Sequence, residues 1–534
     1  MEKKLKILKT PCVEREIREK KLNAKQRGLA LGICSLLCAL PGFSSAQTSS
    51  NSVLEDKSQT KAKILKKPIW HAAARTKEIS RDDRYQILRY NEDWSFLSDP
   101  KERTNIFDGL KFIPLNTDKS AYLTFFGDLR FRNVNETSHS DAKSRPLNFL
   151  AIRTDLGADL HVTPYFRAFF EAVSAQDLGA NIGIPKSPVQ VPPAFKNPFD
   201  VLQGFVEPSI YVGNAKIGLR VGREVMKWGN GTVIDPNDFP NVQTAFDAIH
   251  PYLDYKDLTI DAFVSHAVTM ELKPLSDFDD ANTELSGVYV SQKYHNFDLL
   301  GHAANGAIDP FLFLYRNTDA TYAVSTQTGL DTRYDYGLRL DTNVGGWDFD
   351  NQAIKQNGTF ATRTVNAWAI FTNNGYTFRN LPLTPRLGLQ FDAMSGGDVK
   401  GRSTIFTYQP LFPSALYFAD MAFFAPSNLI EVRPTLTFHP TQRISIEGFY
   451  GFFWRQNVDD AIYATAPFKA FGTSSTVNKG RLIGEVPQIL FSWDITPQIS
   501  FNEYASILLP ARALVQSGGG KGDVFSATTL AFRF

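Results

Sequence analysis

Arginine and carboxylate side chains recur along this chain at a spacing of two. In RYDYGLRLD (333–341), Arg333, Asp335, Arg339 and Asp341 fall on one side, and Tyr334, Tyr336, Leu338 and Leu340 on the other. The same interleaving appears with Asp128, Arg130 and Arg132 in AYLTFFGDLRFR, and with Arg153, Asp155 and Asp159 in LAIRTDLGADLHV. It continues with Arg167 and Glu171 in YFRAFFEA and Arg220 and Glu224 in KIGLRVGRE. Arg386 and Asp392 follow in PRLGLQFD, Glu431 and Arg433 in EVRPTLTFH, and Glu447 and Arg455 in RISIEGFYGFFWR. The basic members are arginine rather than lysine. A guanidinium is planar, keeps its charge and grips a carboxylate through a two-pronged fork. The chemistry on offer is reversible binding of acidic groups, not bond making. Any one arginine has a plain structural reading as the partner of a neighbouring carboxylate, so a binding role rests on the set.

Motifs for bond-making chemistry are absent. The sequence contains no HExxH, CxxC, P-loop or nucleophile elbow. Its eight histidines are scattered, and His295 and His302 have no third ligand nearby in sequence. SGGGKGD (517–523) lacks the spacing and the Lys-Ser/Thr ending of a phosphate loop, and DFDD (277–280) reads as an acidic loop. No catalytic residue, metal or cofactor is expected, so the chain is read as a non-enzyme. No basic block of the kind that binds nucleic acid stands out.

Period-2 alternation makes each of these segments a β-strand. The pattern runs from about Ala121 to Phe534. Tight connections such as VTP, NVGG (343–346) and HPTQ (439–442) alternate with long ones, such as 177–200 with its five prolines. Alternating short turns and long loops is the rhythm of an outer-membrane barrel, with apolar residues toward lipid and polar ones toward a wet lumen. About 410 residues at roughly 20–25 per strand and connection give about 16–20 strands, and an even number is expected. The alternative is a soluble exported β-sandwich array, with the Tyr/Leu faces as its core.

The first residues predict export. A basic stretch precedes the apolar run GLALGICSLLCALPGF (28–43), and SSAQ (44–47) offers Ser44 and Ala46 for a signal peptidase. Residues 1–46 are read as a signal peptide, 47–80 as a flexible periplasmic leader, and 81–120 as an irregular segment at a barrel entrance. Trp94, Phe96, Phe107 and Phe112 are available there for docking. Residues 121–534 form the barrel in this reading. All three cysteines precede residue 47, so disulfides do not staple the exported part. Residues 1–46 hold ten Lys/Arg against four Glu, so their removal takes the net charge from +2 to −4. The final VFSATTLAFRF alternates up to a terminal Phe534, as a strand would that closes a barrel against the first one.

RYNEDWSFLSDPKERTNIFDGLKFIPL followed by YLTFFGDLRFR resembles the opening of the alginate-export family of outer-membrane proteins. LRVGRE (219–224), GGWDFD (345–350), NAWAI (366–370), TPRLGLQFDAMSGGD (384–398), LFPSALYF (411–418) and NLIEVRPTLTFHPTQRISIEGFYGFFWR (428–455) carry the likeness onward. It runs from about residue 84 to the end. It implies an 18-stranded antiparallel monomeric barrel in the outer membrane, with an arginine-rich constriction that passes an anionic exopolysaccharide; outer-membrane lipid and periplasmic export-complex proteins are the other partners in this reading. A porin-like uptake channel for acidic sugars or small anions is the runner-up. A barrel enzyme and an adhesive barrel are further classes. The expected path-lining residues are Arg130, Arg132, Arg153, Arg167, Arg220, Arg223, Arg339, Arg386, Arg433 and Arg455, with Asp128, Glu171, Asp335 and Glu431. Arg223 is out of phase with Arg220 and needs a bulge or a strand end to face inward.

Overall fold

The alternation in RYDYGLRLD becomes a division between two environments. In the computed structural model, Tyr334, Tyr336, Leu338 and Leu340 are each 42 to 46% exposed, while Arg333, Asp335 and Arg339 are at 0, 0 and 7%. The apolar phase therefore faces outward and the charged phase is enclosed, the reverse of a soluble sandwich. The structure describes residues 85–137, 146–179, 194–299, 301–324, 327–398, 403–464, 469–472, 480–520 and 522–534. The expected signal peptide and leader lie outside the described residues.

Eighteen antiparallel strands carry the wall. The first six are β1 Tyr122–Glu136, β2 Leu147–Thr163, β3 Phe166–Leu178, β4 Asn197–Val212, β5 Ala215–Glu224 and β6 Phe246–Tyr255. Next come β7 Leu258–Thr269, β8 Phe278–Leu299, β9 His302–Thr321, β10 Thr328–Val344, β11 Trp347–Phe360 and β12 Arg363–Thr377. The last six are β13 Arg386–Met394, β14 Leu429–Thr441, β15 Ile444–Arg455, β16 Leu482–Asp494, β17 Ile499–Pro510 and β18 Asp523–Arg533. Each pairs with its chain neighbour, and β18 pairs with β1 from Asp128↔Arg533 to Glu136↔Phe525, which closes the ring. Gly127 and Phe534 exchange both backbone hydrogen bonds at 3.1 Å, so the ladder extends to the last residue.

The connections sort by end. Two-residue turns such as Gly213-Asn214 and Gly345-Gly346 join strands at one end, and both leading glycines have positive φ. Long connections occupy the other end, including 225–245, 395–428 and 456–481. Two connections depart from the expected rhythm. Ala361-Thr362 is tight at the long-loop end, and 378–385 is long at the turn end. The expected long loop 177–200 is also shorter, because Asn197–Asp200 already belong to β4.

The interior is not the uniformly wet lumen that the alternation suggests. Residues 225–245 and 403–428 fold inward and bond to each other, with Asp235 N–H donating to the Phe412 carbonyl and Phe412 N–H to the Val233 carbonyl, at 2.8 and 2.9 Å. An apolar core forms where they meet the wall. It gathers Phe246, Phe263, Phe311, Phe313, Phe371, Phe449 and Phe453 from strands and Phe418 and Phe424 from the loop. The Phe424 and Phe453 rings stack 3.9 Å apart. Burying aromatic rings holds a loop in place without any charge pairing.

Glycines admit some of these rings. A Cβ at Gly337 would lie 2.4 Å from the Phe311 ring and 2.6 Å from the Ala353 carbonyl oxygen. Gly337→Val is expected to destabilise the barrel by about 1–3 kcal/mol through overpacking. Gly109→Ala, with nothing within 4 Å, should cost far less. Urea midpoints of the protein folded into phospholipid vesicles check this, and equal midpoints for the two variants would refute it.

Candidate functional site

The arginines on the enclosed phase gather into clusters, and each cluster is tied down. Arg130 and Arg132 on β1 and Arg153 on β2 converge on one stretch of the 225–245 loop. Arg130 Nη1 lies 2.9 Å from Asp238 Oδ2, and Arg153 Nη1 lies 2.5 Å from Asp238 Oδ1. Arg132 donates to the Phe239 carbonyl at 2.9 Å, and Arg130 to the Pro240 carbonyl at 3.1 Å. Asn241 braces this stretch by donating to the carbonyls of Ile152 and Gln176. Burial by itself would raise the Asp238 carboxyl. The guanidiniums of Arg153, Arg130 and Arg132 outweigh it and hold the group well below the usual carboxylate range. On the wall, Arg153 also meets Asp155 at 2.9 Å and Asp128 at 3.9 Å, and Asp128 takes Arg533 at 2.7 Å.

Two further arginines anchor long loops. Arg433 Nη1 donates to the carbonyls of Tyr417 and Phe418, while its guanidinium meets Glu431 at 3.1 Å and Gln390 Oε1. Arg455 donates to the carbonyls of Val458, Asp460 and Gly480. The remaining arginines pair along the wall. Arg339 is ringed by Asp309, Asp341 and Asp350 at 2.8 to 3.0 Å. Arg220 bridges Glu207 and Glu224 at 3.0 and 2.6 Å, and Arg386 meets Asp348 at 2.5 Å. Arg167 grips Asp159 with two bonds of 2.7 Å. Glu171 accepts from Gln203 at 2.5 Å, and Asp335 from Gln356 at 2.8 Å.

Arg223 departs from the expectation. It lies at the end of β5 on the outward phase, shared with the exposed Leu219 and Val221. It forks onto Asp247 of β6 at 2.8 and 3.0 Å and donates to the Val201 carbonyl at 3.2 Å. Gly222 has φ +136°, but no bulge between Arg220 and Arg223 turns the side chain inward. Other interior partners escaped the sequence reading. Glu207, Asp309 and Asp350 sit on the enclosed phase of their strands and were legible by spacing. Asp238 lies in a loop, where no periodicity marks it.

Residues 85–114 occupy the turn end. Arg89 donates to the carbonyl oxygen of Phe534 at 3.0 Å, and Arg167 to the Tyr90 carbonyl at 2.7 Å. The Tyr90 ring meets Phe169 and Phe205 edge-on and lies 4.1 Å from the Arg220 guanidinium carbon. Its hydroxyl donates to the Val225 carbonyl at 3.0 Å. Trp94 and Phe112 are buried. Phe107 is half-buried and contacts the rings of Phe532 and Phe534 at 5.5 and 5.6 Å. Beneath them lies Lys111, fully buried, with its ammonium 4.7 Å from the Trp94 ring centre and 3.8 Å from Glu92.

Burial, reinforced by the charge of nearby Arg89, pushes the Lys111 amine down to about 7 despite the opposing pull of Glu92 and Asp108. An undocked segment would have its lysine near the ordinary value. Between about pH 7 and 10 the docked state therefore binds fewer protons, and docking should tighten as pH rises through that window. Trypsin protection of residues 85–114 is expected to be greater at pH 9 than at pH 7, and Lys111→Met should flatten the dependence. A wild-type profile that is flat, or that falls with pH, would refute the assignment.

Comparison with known proteins agrees with this architecture. The structure superposes on OccK9 (OpdG) of Pseudomonas aeruginosa with a TM-score of 0.51 at 11% identity, over 77% of this chain and 98% of that one. It superposes on OpdO of the same organism at 0.49 and 8% identity, over 77% and 97%. For OpdK, an outer membrane protein of the same organism, the values are 0.48 and 9%, over 77% and 98%. No curated protein matches the sequence significantly. At such identities the likeness speaks for the fold alone, an outer-membrane β-barrel. The family model described as alginate export matches residues 121–521, three quarters of the sequence, and the chain belongs to that family.

Proposed function

We propose that the protein is a passive outer-membrane channel that exports an anionic, alginate-like exopolysaccharide. The observation that carries this reading is the convergence of Arg130 and Arg153 on the Asp238 carboxylate, with Arg132 on its backbone carbonyl, at a residue that belongs to an infolded loop and not to the wall. A uronate offers the same two oxygens in the same plane. A polymer threading the barrel replaces Asp238 on the guanidiniums and releases the loop from the interior. Wall carboxylates such as Asp155 stay beside the arginines, so each sugar is held briefly and passed on. Residues 85–114 seal the turn-end mouth in this scheme, and the polymer must displace them to enter.

A second reading is uptake of small acidic sugars or other small anions. The hydrogen bonds between loops 225–245 and 403–428 favour it, because they narrow the interior without any polymer present.

Single-channel recording of the folded full chain in planar bilayers tests both readings. Oligouronates added to one side should block the current. Block should strengthen about three- to tenfold in Asp238→Asn, where three guanidiniums lose their competing charge. It should weaken by a similar factor in Arg153→Gln, and also in Arg339→Ala and Arg433→Ala. Block only by monomeric anions, with longer oligomers inert, would move the assignment to the uptake channel. A conducting pore indifferent to every uronate would sink both.

A further inference from the structure

Two adjoining depressions lie on the outward face of the barrel, away from the interior arginines, and they share Trp368. The first is an apolar groove of about 510 Å³. Its origin is a small residue among large ones. Ala353 of β11 stands in register between Leu338 of β10 and Ile370 of β12, so a methyl group lies between two branched side chains. The next outward position toward the long-loop end is Lys355, flanked in register by Tyr336 and Trp368. The Lys355 ammonium bends in that direction, donating to Asn366 Oδ1 and, at 3.2 Å, to the Ala367 carbonyl. The Tyr336 hydroxyl points the same way, donating to Asn357 at 2.9 Å.

Beyond Trp368 the second depression opens, with a volume of about 290 Å³. Amide and carboxylate side chains line it, among them Asn366, Gln456, Asn457 and Asp459, and Phe406 offers a ring. Phe406 is 40% exposed, and the sheet beside it is extended by Thr404–Ile405 pairing parallel to β12. Such a pocket is at the small end for ligand sites, suited to one ring rather than an oligomer. Amides and carboxylates satisfy hydroxyl groups, and aromatic faces stack on the apolar face of a ring.

The order along the wall is therefore apolar groove, then an aromatic and cationic girdle, then a hydroxyl-binding pocket. That sequence of surfaces matches one kind of molecule end to end. We propose that this face binds a glycolipid of the outer leaflet, with one acyl chain along Ala353, its linkage at Trp368 and Lys355, and one sugar ring against Phe406 and Asn457. A plain phospholipid would fill the groove and leave the polar pocket without a partner. A soluble saccharide would fill the pocket alone. The groove favours the lipid source, because it is continuous with the apolar band that already faces the membrane and meets the pocket at Trp368.

Native mass spectrometry of the purified full chain, released from detergent after incubation with each probe, tests this. The probes are hexa-acylated lipid A, phosphatidylethanolamine and a soluble glucosamine disaccharide. A retained one-to-one lipid A adduct is expected, with little retention of the other two. Ala353→Phe, which fills the groove, and Phe406→Ser, which removes the ring from the pocket, should each lower lipid A occupancy about tenfold. Both positions face outward, so conductance should be unchanged, and the mobility shift of the barrel on heating shows whether each variant folds. Equal retention of phosphatidylethanolamine would overturn the sugar assignment. Binding of the disaccharide without lipid would overturn the lipid source. Unchanged occupancy in both folded variants would overturn the site.

Discussion

Inside a hydrocarbon layer an unpaired peptide group costs several kcal/mol, so a strand can cross only if both its edges are hydrogen-bonded. Closure of β18 onto β1 meets that demand, and other features follow from it. The exchange between Gly127 and Phe534 carries pairing to the final residue. Closure also fixes two faces. Once the ring is shut, every second side chain must face lipid and the others must share a confined interior. The period-2 pattern is thus a consequence of the solvent on each side. Arg333 and Asp335 are buried, and Tyr334 and Tyr336 exposed, for one and the same reason.

Confinement creates a second demand. A guanidinium cannot shed its proton, so an enclosed one must be met by acceptors. On the wall, strand neighbours supply carboxylates, as Asp309, Asp341 and Asp350 do for Arg339. Where the wall falls short, loops come in. Asp238 answers Arg130 and Arg153, and the carbonyls of Tyr417 and Phe418 answer Arg433. The infolded loops are therefore part of the charge balance of the interior, and the apolar packing of Phe418 and Phe424 against Phe449 and Phe453 keeps them there. The loops are thus held by two kinds of contact, charge pairing and apolar packing.

Much of this was legible in the sequence because two-residue periodicity is a local signal. Strand identity, the enclosed arginines of RYDYGLRLD and EVRPTLTFH, and closure by the last strand could all be read one segment at a time. What was not legible depends on contacts between segments far apart in sequence. Asp238 has no periodic neighbours to mark it. The aromatic interior had a faint sign in DPFLFLY (309–315), where Phe311 and Phe313 share the phase of Asp309 while Leu312 and Leu314 fill the other. A strand apolar on both faces is covered on both faces. Arg223 was misplaced for the opposite reason. Its phase pointed outward from the start, and its partner Asp247 stands on the outward phase of the adjacent strand.

The contrast between Lys111 and the interior arginines shows why both cations are used. Arginine in a confined space recruits acceptors and so binds loops, carboxylates or an acidic cargo. Lysine has another escape, since burial can lower its proton affinity until the charge is lost. Lys111, among the rings of Tyr85, Trp94, Phe126 and Phe534, takes that route. As the amine yields its proton its demand for a counter-ion falls, so the turn-end segment can pack it among aromatic rings with Glu92 3.8 Å away. Arginine at that position would hold its charge and compete for Glu92, which Arg89 already holds at 2.7 Å. Arg89, on the same segment, takes Glu92 and the Phe534 carbonyl as its acceptors, so the two cations share the docked segment but meet burial in different ways: arginine by recruiting acceptors, lysine by yielding its proton.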